Sequence, residues 1–311
     1  MRAICPKCSG THLRKKGILY SKSYECNVQR WVCVSCKKQF QTPINAPTND
    51  LPKILLFDIE TSPMEVYVWG LYKQFISHNN IIKDKKGNEK SWYVLSWAAK
   101  WLYDEDVMSD IVTPEETKER NDKRVLKSIW KLFDEADIVI AHNGDRFDIR
   151  KLNARFIEHE MNPPTPYKSI DTLKIARKEF AFVSYKQDYL TKHFKLNQKL
   201  STEFQLWVDC INGNQERLDE MVEYNRHDVM GLEQVYLKLR PYIKNHPNLG
   251  VLMDMDVCPS CGCEYLDQTE ANYFTGANRF TVYRCQGCKT PYIRHKQNSN
   301  YVKTNLRGVA K

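Results

Sequence analysis

The sequence has no run of 18 or more apolar residues, so no transmembrane helix is expected. Its first residues, MRAICPKC, lack the apolar core of a signal peptide. Cysteine is nearly missing from the middle: ten of eleven lie in the two end segments, and Cys210 alone stands between them. No internal repeat is visible beyond those two ends. These absences exclude a membrane protein and a disulfide scaffold, and they predict a cytoplasmic chain with reduced thiols. At 311 residues, 42% of them hydrophobic, the chain is long enough for a substantial core plus accessory modules.

Each end carries two C-x2-C pairs, Cys5/Cys8 with Cys33/Cys36 and Cys258/Cys261 with Cys285/Cys288, separated by 24 and 23 residues. Four thiolates so spaced suit a tetrahedral Zn²⁺, which stands in for the core that a module of this size cannot build. CPKC and CPSCG resemble the knuckles of zinc ribbons. Two structural Zn²⁺ are therefore expected, with Cys26 and Cys263 left outside the ligand sets. The predicted layout is a ribbon at 1–41, an extended Pro-rich linker at 42–52, a catalytic domain at 53–243, a second ribbon at 257–295, and a basic, disordered tail at 296–311.

Charge follows the same borders. Residues 1–50 hold nine basic and two acidic side chains, net +7; residues 257–311 hold eight and three, net +5; the middle is net −3. Basic groups on the ribbons (Arg14, Lys15, Lys22, Arg30; Arg279, Arg284) mix with Tyr20, Tyr24, Trp31, Tyr273, Phe274 and Tyr292. That mixture suits a phosphate backbone with stacked bases, although the aromatics could equally cover a small ribbon core.

The middle carries four notable acids. Residues 53–59 read as a buried strand, and Asp58 and Glu60, two apart, share one of its faces. A second apolar strand, DIVIAHN (137–143), leads into a helix at 147–160 with Asp148 in its first turn; Asp145 is read as a turn residue and His142 as a strand-end residue. A long helix at 214–239 places Tyr224 and Asp228, four apart, on one face. Converging carboxylates suit hard divalent cations, and two such ions can drive phosphodiester hydrolysis. VYVWGL and WYVLSWAAKWLY read as further strands around a polar insert. Helices are expected near 117–135 and over QDYLTKHF and TEFQLWVDCI. YKSIDTLKIARKEF reads as a strand running into a helix, with Asp171 at the junction.

The blocks D-x-E, N-x3-F-D and Y-x3-D, in this order, resemble the DEDD superfamily of proofreading exonucleases over about residues 53–243. Glu223 stands where the histidine subtype has His, and Tyr224 where the tyrosine subtype has Tyr. The chain thus resembles the tyrosine subtype found in family B DNA polymerases, without a polymerase part. The resemblance implies an α/β, ribonuclease H-like mixed sheet with helices, and 3′→5′ hydrolysis of single-stranded DNA, or of RNA. It implies two Mg²⁺ or Mn²⁺ on Asp58, Glu60, Asp148 and Asp228. Asn143 would orient substrate or its loop, Tyr224 the attacking water, and Asp171 would support the site from behind or simply cap its helix. The run from EMVEYNRHDV through HPNLG to CPSCG is similar to stand-alone exonuclease-like proteins of bacteriophages, which implies a bacterial or phage-infected cytoplasm. Two rivals are a binding protein with an inactive nuclease core and a transposition protein. The latter's acids end in Glu, whereas Glu60 here follows Asp58 by two.

Overall fold

The computed structural model describes residues 5–8, 12–21, 26–43, 52–72, 75–196, 202–275 and 278–293. Most of the expected linker, the basic tail, Lys22 and Tyr24 lie outside them, as do the side chains of Lys15, Tyr20 and Cys26. The chain divides into two compact units, Met1–Leu51 and Pro52–Lys311. The first is a three-stranded antiparallel sheet of β1 (Leu13–Ser21), β2 (Cys26–Cys33) and β3 (Gln39–Pro43).

The second unit is built on β4 (Ile54–Thr61), β5 (Val94–Trp101), β6 (Met108–Ile111), β7 (Ile138–Ala141) and β8 (Lys168–Asp171), in the order β6-β5-β4-β7-β8. β4, β7 and β8 are parallel, β5 runs against β4, and β6, antiparallel to β5, points the same way as β4. Around the sheet lie α1 (Pro114–Glu119), α2 (Lys123–Glu135), α3 (Asp148–Glu158), α4 (Thr172–Glu179), α5 (Gln187–His193), α6 (Gln205–Ile211), α7 (Gln215–Leu239) and α8 (Leu249–Met253). This is the expected ribonuclease H-like mixed α/β fold. The second Cys-rich segment adds an antiparallel sheet of β9 (Leu266–Phe274), β10 (Arg279–Cys285) and β11 (Pro291–Ile293). It belongs to the same compact unit as the five-stranded sheet, and the Leu249 amide at the start of α8 donates to the Pro259 carbonyl at 2.8 Å.

Alternation along β4 explains how one strand serves both core and site. Leu55, Phe57 and Ile59 pack with Leu126, Ile129 and Phe133 of α2 and Leu152 and Phe156 of α3. Ile54 and Leu56 pack with Ile138, Ile140 and the α7 residues Val229, Leu232 and Tyr236. The same register carries Asp58 and Glu60 onward on the second face, where the apolar filling gives way to acid.

Two expectations need correcting. VYVWGL is not a strand: Val66 forms an isolated bridge with Ile81, and Tyr67, Trp69 and Leu71 are exposed. Both edges of β4 are already taken by β5 and β7, so the segment cannot extend the sheet beside β4, and aromatic β-propensity counts for little without a pairing partner. The helix expected near 117–135 is two helices, broken where Arg120 adopts a left-handed φ of 52° and caps α1.

Asp122, in that break, is fully buried. It accepts hydrogen bonds from the Val94 amide (2.8 Å) and from Arg155 Nη2 (2.6 Å), and it contacts His159 Nε2 at 2.8 Å. It ties β5 to α2 and α3. Asp122→Ala strands Arg155 and should destabilise the fold by about 3–5 kcal/mol. Urea unfolding of the purified variant checks this, and a loss under about 1 kcal/mol, as for an exposed pair, would contradict it.

Candidate active site

The carboxyl ends of the parallel strands open on a cavity of about 930 Å³. Asp58, Glu60, His142, Asn143, Asp148 and Asp228 all contribute to its wall. Carboxylate oxygens of Asp58, Glu60 and Asp228 lie within 4.8 Å of one another. Three residues distant in sequence are thus brought to one point by the pairing of β4 and the packing of α7 across it.

Asp148 lines the same cavity but stands outside that trio. Its Oδ1 accepts from the Ile59 amide at 3.2 Å, and only 3% of the residue is exposed. Burial pushes its carboxyl up to about 7, against the pull of the Ile59 hydrogen bond. Asp145 is held in an ion pair with Lys174 at 2.5 Å.

The turn that delivers Asp148 is tightly specified. Asn143 has a left-handed φ of 71°, and a Cβ on Gly144 would meet the Ala141 Cβ at 2.5 Å, so glycine alone fits there. Asp171 Oδ1 accepts from the Asn143 amide (3.0 Å) and from the Leu173 and Lys174 amides of α4. Asp171 is therefore both the cap of α4 and the anchor of the Asn143 turn. Its reach across from β8 to the end of β7 is a tertiary fact that spacing could not supply.

Several positioning residues carry no sequence signal of their own. Asn225 is fully buried on α7 and donates from Nδ2 to Asp58 Oδ2 at 2.7 Å. Trp207 of α6 donates its indole N–H to Glu60 Oε2 at 3.1 Å. Gln187 of α5 donates to the Asp228 carbonyl at 2.7 Å. The His142 ring sits between Thr172 Oγ1 and the Tyr185 carbonyl, each 2.9 Å away. Tyr224 is 5% exposed, packs edge-on against Trp207 at 5.8 Å between centroids, and is not among the cavity-lining residues. Arg177, Lys186 and Lys192 also line the cavity, with Lys192 ion-paired to Asp188 at 2.9 Å, although the middle of the sequence is net negative.

Each Cys-rich end brings its four expected thiols together. Cys5, Cys8, Cys33 and Cys36, and likewise Cys258, Cys261, Cys285 and Cys288, lie with their sulfurs within 4.8 Å of one another. The contacts Cys5–Cys36, Cys8–Cys33, Cys258–Cys288 and Cys261–Cys285 are all 3.5 Å. That is far beyond an S–S bond, and near the ~3.8 Å edge of a tetrahedron of thiolates around Zn²⁺. The ribbon aromatics divide in role: Tyr292 packs against the thiol cluster and donates to Ser260 at 2.6 Å, whereas Tyr273 and Phe274 are exposed, with Arg279 5.7 Å over Phe274.

Residues 101–240 match the sequence model of the RNase_H superfamily. That stretch includes Asp148, Tyr224 and Asp228; Asp58 and Glu60 precede it. Among solved structures, the family B DNA polymerase of the hyperthermophilic archaeon Pyrobaculum calidifontis is similar at 14% identity and a TM-score of 0.41, over 73% of this chain and 32% of the polymerase. The chain thus spans about a third of that polymerase's length. Comparison with curated protein sequences found no match. No helix among the described residues is long and apolar enough to cross a membrane.

Two expectations follow from this geometry. Between about pH 4 and 7 folded Asp148 holds a proton that the unfolded carboxyl releases, so this group's contribution to stability falls as pH rises through that window. Without added Mg²⁺ or Mn²⁺, Asp148→Asn should therefore stabilise the chain at pH 8, on the order of 4 kcal/mol, and leave it unchanged at pH 4. Thermal melts at the two pH values decide it, and equal melting of both chains at pH 8 would refute the raised carboxyl. The thiol clusters should bind two zinc ions per chain, and Cys258→Ser with Cys285→Ser should leave one. Elemental analysis reads both, and recovery of disulfides in place of metal would remove the zinc assignment.

Proposed function

We propose that this chain is a divalent-metal-dependent exonuclease that removes nucleotides from the 3′ end of single strands, DNA in preference to RNA. The observation that supports it most is the convergence of Asp58, Glu60 and Asp228 in one cavity, with Asp148 in the same wall. Three gathered carboxylates suit hard cations such as Mg²⁺ or Mn²⁺, and Asp148 is the proposed fourth ligand once deprotonated. Ions held there would activate water and neutralise charge on the scissile phosphate. Asn225 and Trp207 hold Asp58 and Glu60 in orientation, so the ligands are set before substrate arrives.

Arg177, Lys186 and Lys192 line the same cavity as the acids, a composition that suits a strand whose phosphates enter it. Part of the electrostatic affinity is thereby assigned to the core, with the basic ribbons supplying the rest. Asn143 is proposed to touch substrate. Tyr224 is proposed to orient the attacking water; its packing on Trp207 supports the competing account, that it only braces Glu60. Polarity and the preference for DNA follow from the sequence resemblance.

Oligonucleotides of DNA and RNA labelled at the 5′ end, incubated with Mg²⁺ or Mn²⁺, should shorten as a ladder from the 3′ end. Asp58→Ala and Asp228→Ala should abolish the ladder while leaving circular dichroism unchanged. Tyr224→Phe should slow it about 10²-fold if the hydroxyl assists the chemistry, and His227→Ala should change little, because His227 precedes Asp228 by one residue on α7 and so points about 100° away from it. Wild-type turnover in Asp58→Ala, or release of the 5′ nucleotide first, would reject the reading.

A further inference from the structure

Beyond Thr61 the chain leaves the sheet and forms an appendage whose root and tip differ sharply. The root is fixed. The Ser62 amide donates to Tyr93 O at 2.9 Å, the Glu65 amide to Lys90 O at 3.2 Å, and the Tyr67 amide to Asn80 O at 3.0 Å. Arg120 grips it from α1, donating to Ser91 O at 2.7 Å, to Lys90 O at 3.3 Å and to Glu65 Oε1 at 3.0 Å. The tip is bare: Tyr67 is 71%, Trp69 101% and Tyr72 89% exposed. Large aromatic faces left in water on a stapled root need a partner, since an unstacked tip gains nothing from burial.

Three observations say which partner. Lys83, Lys85 and Lys86 stand exposed just past the Val66–Ile81 bridge, in a turn that also holds Asp84 and Glu89, so the appendage carries positive charge as well as π surfaces. The appendage grows from the end of β4 that carries Asp58 and Glu60, so it shares the carboxyl end of the sheet with the cavity. A track of side chains runs from the cavity to the root of the appendage. Phe147 lines the cavity, Lys151 Nζ lies 5.0 Å from its ring centroid and 3.8 Å from that of Trp92, and Trp92 adjoins the Ser91 that Arg120 holds.

We propose that Tyr67, Trp69 and Tyr72 are a stacking platform for the bases of a single-stranded polynucleotide whose terminus lies in the cavity. Base stacking on aromatic faces tolerates any sequence, and nearby lysines hold the backbone; together these suit an enzyme that must follow a strand as it shortens. The platform rests on the nuclease reading for its purpose, but its binding is measured apart from cleavage.

The test uses the full chain with Asp58→Ala, so that the strand survives, and fluorescein-labelled oligothymidylate. Adding Tyr67→Ala, Trp69→Ala and Tyr72→Ala should weaken binding about 10-fold or more. Trp69→Phe should keep most of the affinity but lose the tryptophan quenching that accompanies it. In the chain with Asp58 intact, the triple substitution should leave hydrolysis of the p-nitrophenyl ester of thymidine 5′-monophosphate unchanged, because that ester reaches the cavity alone. Unchanged oligonucleotide affinity overturns the platform; if sedimentation then shows altered self-association, the face is a contact between copies of the chain. An equal loss on the small ester would also overturn it, by tracing the defect to the cavity. Failure of the intact chain to hydrolyse any phosphodiester would reject the nuclease reading and leave the binding result standing.

Discussion

Three carboxylates within 4.8 Å of one another repel, and every part of the site depends on the fold's ability to hold them there. The holding is done by rigid elements. Asp58 and Glu60 sit on a strand paired on both sides, and Asp228 sits on the 25-residue α7 that packs across it. Asn225 and Trp207 place N–H donors on two of the acids, which lessens the repulsion and sets their orientation. Asp148 answers the same problem differently: burial pushes its carboxyl up to about 7, which favours its neutral form beside the three other acids.

The site also holds charges of both signs. Asp58, Glu60, Asp148 and Asp228 come to it from β4, α3 and α7, and Arg177, Lys186 and Lys192 from α4, the segment before α5 and α5, where Asp188 pairs with Lys192. The net charge of the middle segment hides this mixture, because surface acids outnumber the few lysines and arginines that line the cavity. Electrostatic recognition is local on the scale of a Debye length, so the arrangement of charges governs what can enter more than their sum does.

The Cys-rich modules extend the same logic. Each brings four sulfurs to metal-ligand separation without a disulfide, and the second belongs to the compact unit that holds the cavity. Tyr292 and Ser260 brace its thiol cluster from within, while Tyr273 and Phe274 project outward. Residue type alone could not separate those roles, since an aromatic ring serves a small core and a wet surface equally well.

Sequence alone determined the elements whose period is short and strong: the apolar β4 and β7, the helix that begins at Asp148, the 25-residue α7, and the eight cysteines spaced as pairs. It also put Asp58 and Glu60 on one face of β4, because a strand has a side-chain period of two. Tertiary structure decided the rest. Asn225, Trp207 and Gln187 are ordinary core and surface residue types, and only the crossing of α6 and α7 over the sheet turns them toward the acids. VYVWGL has the composition of a strand and fails to be one because β4 has no free edge, a matter of topology rather than propensity. Arg120, unremarkable in sequence, breaks a helix and staples the appendage only because the loops before and after it converge in space. Local periodicity is written along the chain, whereas the pairing of distant residues follows from how close-packed layers exclude one another, and that is set by the whole fold.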